Sequence, residues 1–107
     1  MSAKNLNTEQ FRDTMKQEGL VLVDFWAPWC PYCRRISSVY DAVADQNAGK
    51  ITVAKVDTDQ EPEIATQENI EVLPTLVLYR DGKALGSIVA PASKAAIDAF
   101  IETTLSK

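Results

Sequence analysis

The sequence predicts an α/β domain in which helices cover both faces of a mixed β-sheet. Three observations lead to this prediction. Stretches with helical periodicity alternate with strand-like runs along the 107 residues. The run at residues 20–25 is apolar at almost every position and rich in valine, which is typical of a strand buried on both faces. An Asp81-Gly82 pair between the last two strand-like runs is a strong hairpin signal, so the sheet combines parallel and antiparallel strands.

The N-terminal part predicts a weak strand, a helix and a buried strand. Asn7 is placed to cap the helix, with Gln10 at its third position, and Gly19 is placed to end it. The weak strand lies before Asn7. The buried strand at residues 20–25 leads towards the two cysteines of the chain.

The middle of the chain predicts a βαβ unit. After Cys33, apolar residues follow helical spacing until Gly49 ends the pattern. Residues 51–57 predict the second strand, and the connection between two parallel strands is expected to be right-handed. Pro62 then suits the first turn of a short helix.

The C-terminal part predicts a hairpin followed by a helix. Residues 75–79 and 84–89 are the strands of the hairpin, and Ser93 is placed to cap the helix. The apolar face of that helix is formed by Ile97, Phe100, Ile101 and Leu105. Because no repeat, low-complexity segment or linker divides the chain, residues 1–107 are predicted to form one domain.

Composition and charge exclude several classes of function. The chain has 11 basic and 15 acidic side chains, a net charge of -4 and a pI of about 4.7, whereas nucleic-acid and anionic-membrane partners need a concentrated basic surface. No run approaches the roughly 20 apolar residues of a membrane span, and the N-terminus lacks the apolar core of a signal peptide. We therefore expect a cytoplasmic protein with neither nucleic acid nor membrane as partner.

Cys30 and Cys33 are the only cysteines, and they stand where a strand gives way to a helix. A reducing compartment does not favour a structural disulfide. The pattern favours a dithiol couple: the helix N-terminus stabilises a Cys30 thiolate that attacks a disulfide, and the more buried Cys33 resolves the mixed disulfide. A zinc half-site and a pair of core thiols are the alternatives. Zinc would need two further ligands, and the chain has no histidine and no third cysteine.

Asp24 and Lys55 are charged residues at apolar positions of neighbouring predicted strands. Asp24 is in phase with Leu20 and Leu22, and an unpaired carboxylate in such surroundings is costly. We therefore expect the two charges to form a pair. We also expect Asp24, with a raised pKa, to accept the Cys33 proton while Lys55 modulates it. The alternatives are a carboxylate in a loop and an edge lysine that extends to water.

Three segments resemble the thioredoxin family in order and spacing: VDFWAPWCPYC, AKVD and VLPTLVLYRDGK. The resemblance implies the thioredoxin fold, with a central five-stranded mixed sheet flanked by four helices. It implies a monomer that reduces disulfides in client proteins. It also implies that no cofactor or metal is bound, that the redox-active group is the disulfide of Cys30 with Cys33, and that electrons come from NADPH through thioredoxin reductase.

The resemblance also implies roles for single residues. Cys30 matches the attacking cysteine of the family, Cys33 matches the resolving cysteine, and Trp29 matches the indole beside the disulfide. Leu73 and Pro74 match the substrate groove, where the family has a cis proline. A cis bond there would leave the backbone before Pro74 free to pair with an extended substrate.

Three positions depart from the family pattern. Pro31-Tyr32 replaces the usual Gly-Pro pair between the cysteines and is typical of glutaredoxins. Tyr32 regains a backbone N–H, which we expect to stabilise the Cys30 thiolate and to place the reduction potential roughly 30 to 60 mV above about −270 mV. Ser38 replaces a proline that kinks the helix after the cysteines, so a straighter helix is expected. Ala90 replaces a glycine of the substrate groove.

Two other functions stay open at this point. A glutathione-coupled reductase of glutaredoxin type would explain Pro31-Tyr32, but residues 89–93 lack the glycine pair with acidic residues by which glutaredoxins hold glutathione. A thioredoxin-fold scaffold in a larger assembly would need no turnover. Catalytic reduction of insulin would argue against the scaffold, and a comparison of thioredoxin reductase with glutathione as electron source would separate the two reductases.

Overall fold

A five-stranded mixed sheet runs through the computed structural model, which describes residues 3–107. In chain order the elements are β1 (Lys4–Asn5), α1 (Thr8–Met15), β2 (Leu20–Trp26), α2 (Pro31–Arg35), α3 (Ser37–Gln46), β3 (Ile51–Asp57), α4 (Pro62–Gln67), β4 (Thr75–Arg80), β5 (Lys83–Val89) and α5 (Lys94–Leu105). The strand order is β1-β3-β2-β4-β5, with β3 parallel to β1 and β2, and β4 antiparallel to β2 and β5. The predicted fold class is confirmed, as is the weak strand before Asn7.

The first helix begins where the sequence predicts and ends earlier. Asn7 Oδ1 accepts the Gln10 N–H at 2.8 Å, and Gln10 Oε1 accepts the Asn7 N–H at 2.9 Å, which completes a capping box. The helix ends at Met15, where the Lys16 N–H closes the last turn on the carbonyl three residues back, at 3.2 Å. The predicted end at Gly19 is therefore wrong, because Gly19 belongs to the connection that leads into β2.

Both faces of the sheet are buried, as the apolar run at residues 20–25 predicts. On one face, helices α3 and α5 cover side chains that include Leu22 and Leu78. On the other face, helices α1 and α4 cover Val23 and Phe25. Complete burial of one such side chain contributes about 1.5–3 kcal/mol. This arrangement fixes β2 at the centre of the sheet and thereby fixes the residues that follow its carboxyl end.

The turn between β4 and β5 shows why the Asp-Gly pair is a hairpin signal. Asp81 and Gly82 have φ angles of 52° and 80°, the left-handed values that a two-residue hairpin turn requires. A Cβ atom on Gly82 would also collide with the Met15 carbonyl oxygen. Asp81 Oδ1 accepts the Gly19 N–H at 2.7 Å, which ties the hairpin to the start of β2.

The helix after the cysteines is divided in two, which corrects two predictions. Helix α2 ends at Arg35 and α3 begins at Ser37, with Ile36 between them at φ −86° and ψ −1°. The straighter helix expected from Ser38 is therefore wrong, and residues 3–107 contain five helices instead of four. Ile36 is only 5% exposed. We attribute the break to the near-zero ψ of this anchored residue, which interrupts regular helical geometry without a proline.

Candidate active site

The disulfide between Cys30 and Cys33 lies at the start of α2. The two Cα atoms are 5.3 Å apart. Pro31 occupies the first turn of the helix, where a missing N–H costs no intrahelical hydrogen bond. The Cys33 N–H donates to Cys30 Sγ at 3.2 Å, so the sulfur itself caps the helix. The predicted couple thus forms at the predicted junction of strand and helix.

Two details of the couple differ from the prediction. The N–H that reaches Cys30 Sγ belongs to Cys33 and not to Tyr32. The expected rise in reduction potential depends on a hydrogen bond from the Tyr32 N–H to Cys30 Sγ, and the disulfide form does not contain that bond. The expected difference in burial is also almost absent, because Cys30 is 5% exposed and Cys33 is 3% exposed.

Asp24 occupies the buried position that the strand phase predicts. It is 2% exposed and lies opposite Lys55 in the register of β2 with β3. Its Oδ1 atom has no hydrogen-bond partner among the described residues. Burial raises the pKa of Asp24 to about 7, and the positive charge of Lys55 opposes part of that rise. A carboxyl group with this pKa can exchange a proton near neutral pH.

The expected contact between Asp24 and Lys55 is not formed, since no ion pair joins the two side chains within residues 3–107. Lys55 Nζ lies over the Trp26 ring, 5.4 Å from the ring centroid, which is a cation–π arrangement. The ring is oriented by its Nε1 atom, which donates to Asn5 Oδ1 at 2.9 Å. Lys55 therefore acts on Asp24 through its charge and not through a hydrogen bond.

A cavity of about 230 Å³ connects the carboxyl group with the second cysteine. Its lining residues are Asp24, Trp26, Cys33, Arg34, Ser37 and Lys55. Because a water molecule takes up about 30 Å³, the cavity has room for water between Asp24 and Cys33. The sequence prediction missed Arg34 and Ser37, whose only signal is their place in the two turns that follow Cys33.

Trp29 and the Leu73–Pro74 segment supply the surface next to the disulfide. Trp29 is 65% exposed, and its Nε1 atom donates to Asp59 Oδ1 at 3.1 Å. The Leu73–Pro74 peptide bond is cis, as the resemblance implies. The backbone N–H and C=O of Leu73 make no hydrogen bond with other residues in the described range. Both groups are therefore available to a bound peptide.

The loop between β5 and α5 contacts both Tyr32, which lies between the two cysteines, and the cis-proline segment. Ala90 has a φ of 45°, and its N–H donates to the Pro74 carbonyl at 2.9 Å. The Tyr32 hydroxyl donates to the Pro91 carbonyl at 2.7 Å. The sequence prediction missed Val89, which is 50% exposed at the end of β5, and it missed the bond from Tyr32 to Pro91. Neither feature has a periodicity signal.

Two further features are absent from residues 3–107. No group of three or more cysteine, aspartate or glutamate side chains in this range is arranged to hold a metal ion. None of the helices in this range combines the length and apolar character needed to cross a membrane.

Comparison with known proteins gives consistent matches. Residues 2–103 match the family described as thioredoxin. The chain is 42% identical to Thioredoxin 1 of Nostoc sp. over 97 residues, which cover 86% of this chain and 91% of the relative. It is 36% identical over 108 residues to the thioredoxin of Porphyra purpurea, with 100% and 97% of the two chains covered. It is 38% identical over 104 residues to the chloroplastic M-type thioredoxin of Spinacia oleracea, covering 96% of this chain and 58% of that protein.

Proposed function

The chain belongs to the thioredoxin family and is a thiol–disulfide oxidoreductase with a redox-active Cys30–Cys33 pair, and from this premise we propose that it reduces client proteins with electrons passed from NADPH by thioredoxin reductase. One observation carries the proposal. The disulfide caps a helix and adjoins both an exposed apolar surface and a cavity that holds a buried carboxyl group. This combination supplies the nucleophile, the docking surface and the proton acceptor that disulfide reduction needs.

The first step is the attack of Cys30 on a client disulfide. The helix N-terminus and the Cys33 N–H, 3.2 Å from Cys30 Sγ, stabilise negative charge on this sulfur. The Cys30 thiolate forms a bond to one client sulfur, and the client disulfide breaks. The other client sulfur leaves as a thiolate and takes a proton from solvent.

The second step releases the client. Asp24 accepts the proton of the Cys33 thiol, through water in the shared cavity, because its pKa of about 7 leaves part of the population ionised at neutral pH. The Cys33 thiolate then attacks Cys30 Sγ, and the mixed disulfide breaks. The client sulfur leaves as a thiolate and takes a proton from solvent, while Asp24 releases to solvent the proton it accepted. The client has gained two electrons, and Cys30 is again bonded to Cys33.

The client segment lies along Leu73 in this proposal. The free N–H and C=O of Leu73 pair with an extended peptide, in the manner of an added strand. Trp29 lines a groove together with Leu73, and Ala90 is hydrogen-bonded to Pro74, so both residues adjoin the segment.

Glutathione is the second candidate electron source, and the Pro31-Tyr32 pair favours it. A coupled assay with insulin as client distinguishes the two sources. We expect NADPH oxidation with thioredoxin reductase to be at least tenfold faster than with glutathione and glutathione reductase. The reverse order would identify a glutaredoxin-type reductase.

Cys33→Ser should accumulate a mixed disulfide through Cys30, whereas Cys30→Ser should accumulate none. Equal accumulation in the two variants would overturn the assigned order of attack.

A cytoplasmic location is also part of the proposal. The pair must be returned to its dithiol form after every turnover, which suits a reducing compartment. One relative is named as chloroplastic, so the location needs its own test. Fractionation of the source cells with an antibody against the chain should place it with soluble cytoplasmic markers, and recovery with an organelle or an exported fraction would overturn this part.

A further inference from the structure

Tyr32 connects α2, the helix that begins after Cys30, to the loop between β5 and α5. Its hydroxyl donates to the Pro91 carbonyl at 2.7 Å. Its ring is half-buried and packs against the core on the face covered by α3 and α5. Pro91 is itself buried although it lies in a loop. The bond therefore joins the start of α2 to the loop between β5 and α5.

The same loop, residues 90–93, has two further attachments. The Ala90 N–H donates to the Pro74 carbonyl at 2.9 Å. Ser93 Oγ accepts the Ala96 N–H at 3.1 Å and so caps α5. The loop is thus fixed to the cis-proline segment at one end and to a helix at the other, and the Tyr32 hydroxyl holds its middle.

Ala90 shows that the loop needs this support. Its φ of 45° lies in the left-handed region, which is unfavourable for a residue with a Cβ atom. Such a conformation persists only where the surrounding structure enforces it. Since Ala90 is exposed and so has few packing contacts of its own, the hydrogen bonds at its N–H and at the adjacent Pro91 carbonyl enforce the conformation.

We propose that Tyr32 is a positioning residue that fixes the loop of residues 90–93 at one distance from the cysteines and thereby selects extended polypeptide clients. This inference rests on the proposed function, because it concerns the groove in which the client segment lies. A groove that is already fixed orders no loop when a client binds, which lowers the entropic cost of binding. A small disulfide that reaches the sulfur without entering the groove gains little from it.

Tyr32→Phe tests the proposal, since it keeps the ring and removes the hydroxyl. Tyr79→Phe is the matched control, because it removes a hydroxyl that donates to Glu68 Oε1 at 2.6 Å, away from the loop. Each variant is assayed with insulin and with 5,5′-dithiobis(2-nitrobenzoate). We expect Tyr32→Phe to raise the KM for insulin more than it lowers kcat. The ratio of kcat/KM for insulin to that for the small disulfide should fall by about three- to tenfold, the range for loss of one hydrogen bond. Tyr79→Phe should keep the wild-type ratio.

Amide hydrogen exchange gives a readout that does not depend on turnover. The Ala90 N–H should exchange faster in Tyr32→Phe and at the wild-type rate in Tyr79→Phe. A double variant combines Tyr32→Phe with Ala90→Gly. Its decrease in the logarithm of the ratio of kcat/KM for insulin to that for the small disulfide should be smaller than the sum of the decreases in the two single variants, because both changes act on one loop.

The outcomes separate this inference from the proposed function. If the wild-type protein fails to reduce insulin, the proposed function is wrong and the inference with it. If the wild-type protein reduces insulin, but Tyr32→Phe has the wild-type ratio of kcat/KM values and the wild-type exchange rate of the Ala90 N–H, only the inference is overturned. An equal loss towards insulin and the small disulfide would also overturn it, because the hydroxyl would then act on the cysteines themselves.

Discussion

Asp24 is an acidic residue in surroundings that favour its uncharged form. The side chain is 2% exposed, its Oδ1 atom has no partner among the described residues, and Lys55 lies nearby without contact. Its pKa therefore rises from 3.8 to about 7 on folding. The folded chain consequently holds this proton over a pH range in which the unfolded chain has released it, and the stability of the protein falls as pH rises through that range.

The free energy of unfolding should therefore decrease between about pH 4 and about pH 7. The total decrease due to Asp24 is on the order of 4 kcal/mol, at about 1.36 kcal/mol for each pKa unit. Urea denaturation at a series of pH values measures it. In Asp24→Asn the decrease in unfolding free energy that is due to Asp24 should disappear, so the variant should be more stable than the wild-type protein at pH 8. The variant should also turn over mixed disulfides more slowly, because it lacks the proton acceptor.

Asp13→Asn is the control for this prediction, because Asp13 is exposed on α1 and the substitution removes the same formal charge. The free energy of unfolding of Asp13→Asn should vary with pH in the same way as that of the wild-type protein. A profile for Asp24→Asn that also follows the wild type would show that water stabilises the Asp24 carboxylate in solution, and the assigned role as proton acceptor would lose its basis.

The two cysteines should differ in reactivity although their burial is similar. Their exposed fractions are 5% and 3%, so access alone does not distinguish them. After reduction, Cys30 lies at the N-cap of α2, where the helix N-terminus stabilises a thiolate. Cys33 shares a cavity with the Asp24 carboxyl group, whose negative charge disfavours a second anion.

Iodoacetamide at pH 7 should therefore modify Cys30 at least tenfold faster than Cys33, as measured by peptide mass spectrometry after timed quenching. In Asp24→Asn the difference in alkylation rate between Cys30 and Cys33 should become smaller, because the negative charge that disfavours the Cys33 thiolate has been removed. Equal rates for the two thiols in the wild-type protein would contradict the assignment of Cys30 as the attacking group.

Single residues were predictable where strand phase or a cap determines their place. The phase of β2 predicts that Asp24 is buried, and the capping rules predict Asn7 with Gln10. The donor to Cys30 Sγ was not predictable in the same way. Both the second and the third N–H of a helix can reach a capping atom, and the choice of Cys33 depends on the geometry of this one turn.

At the scale of elements, the break between α2 and α3 is the clearest difference from the prediction. A continuous apolar pattern extends across Ile36, so the sequence gives no sign of an interruption. The break sits where Ile36 enters the core, 5% exposed, with the disulfide fixing the preceding turn. Tertiary packing has overridden the local pattern at this residue, which a prediction from periodicity cannot include.

Ser38→Pro should consequently be tolerated. Ser38 lies in the first turn of α3, where the backbone N–H groups have no intrahelical partner and proline fits. We expect a change in unfolding free energy within about 1 kcal/mol of zero. Ala42→Pro, in the middle of the same helix, should cost about 3 kcal/mol or more. A loss as large for Ser38→Pro would mean that the two helices are continuous in solution.

For the whole molecule, the sheet explains why the site lies where it does. The strand order places β2 between a parallel and an antiparallel neighbour, and the cysteines follow its carboxyl end. Sites in open α/β sheets form at such positions. The order of elements and the βαβ unit were predictable from alternating patterns. Contacts between distant loops, such as Tyr32 with Pro91, were not, because periodicity carries no information about which loops meet.

Acidic residues outnumber basic residues in the part of the chain that contains Leu73 and Pro74. Residues 56–79 contain no lysine or arginine. The acidic residues of this stretch are Asp57, Asp59, Glu61, Glu63, Glu68 and Glu71. Glu71 lines a groove of about 340 Å³ together with Trp29 and Leu73. A client that approaches along this groove therefore meets the carboxylate of Glu71 and that of Asp59, which accepts a hydrogen bond from Trp29 Nε1. These charges accelerate association with basic segments and slow association with acidic ones.

Two disulfide-linked peptides that differ only in flanking lysine or glutamate should therefore be reduced at different rates. We expect kcat/KM to be higher for the lysine peptide by about two- to fivefold at low salt, the range for exposed charge pairs. The difference should vanish at about 1 M salt, where the Debye length is about 3 Å. Glu71→Gln should reduce the preference. Glu102→Gln, an exposed change of the same charge on α5, should preserve it. If both variants weaken the preference equally, net charge rather than the groove beside Trp29 selects the client.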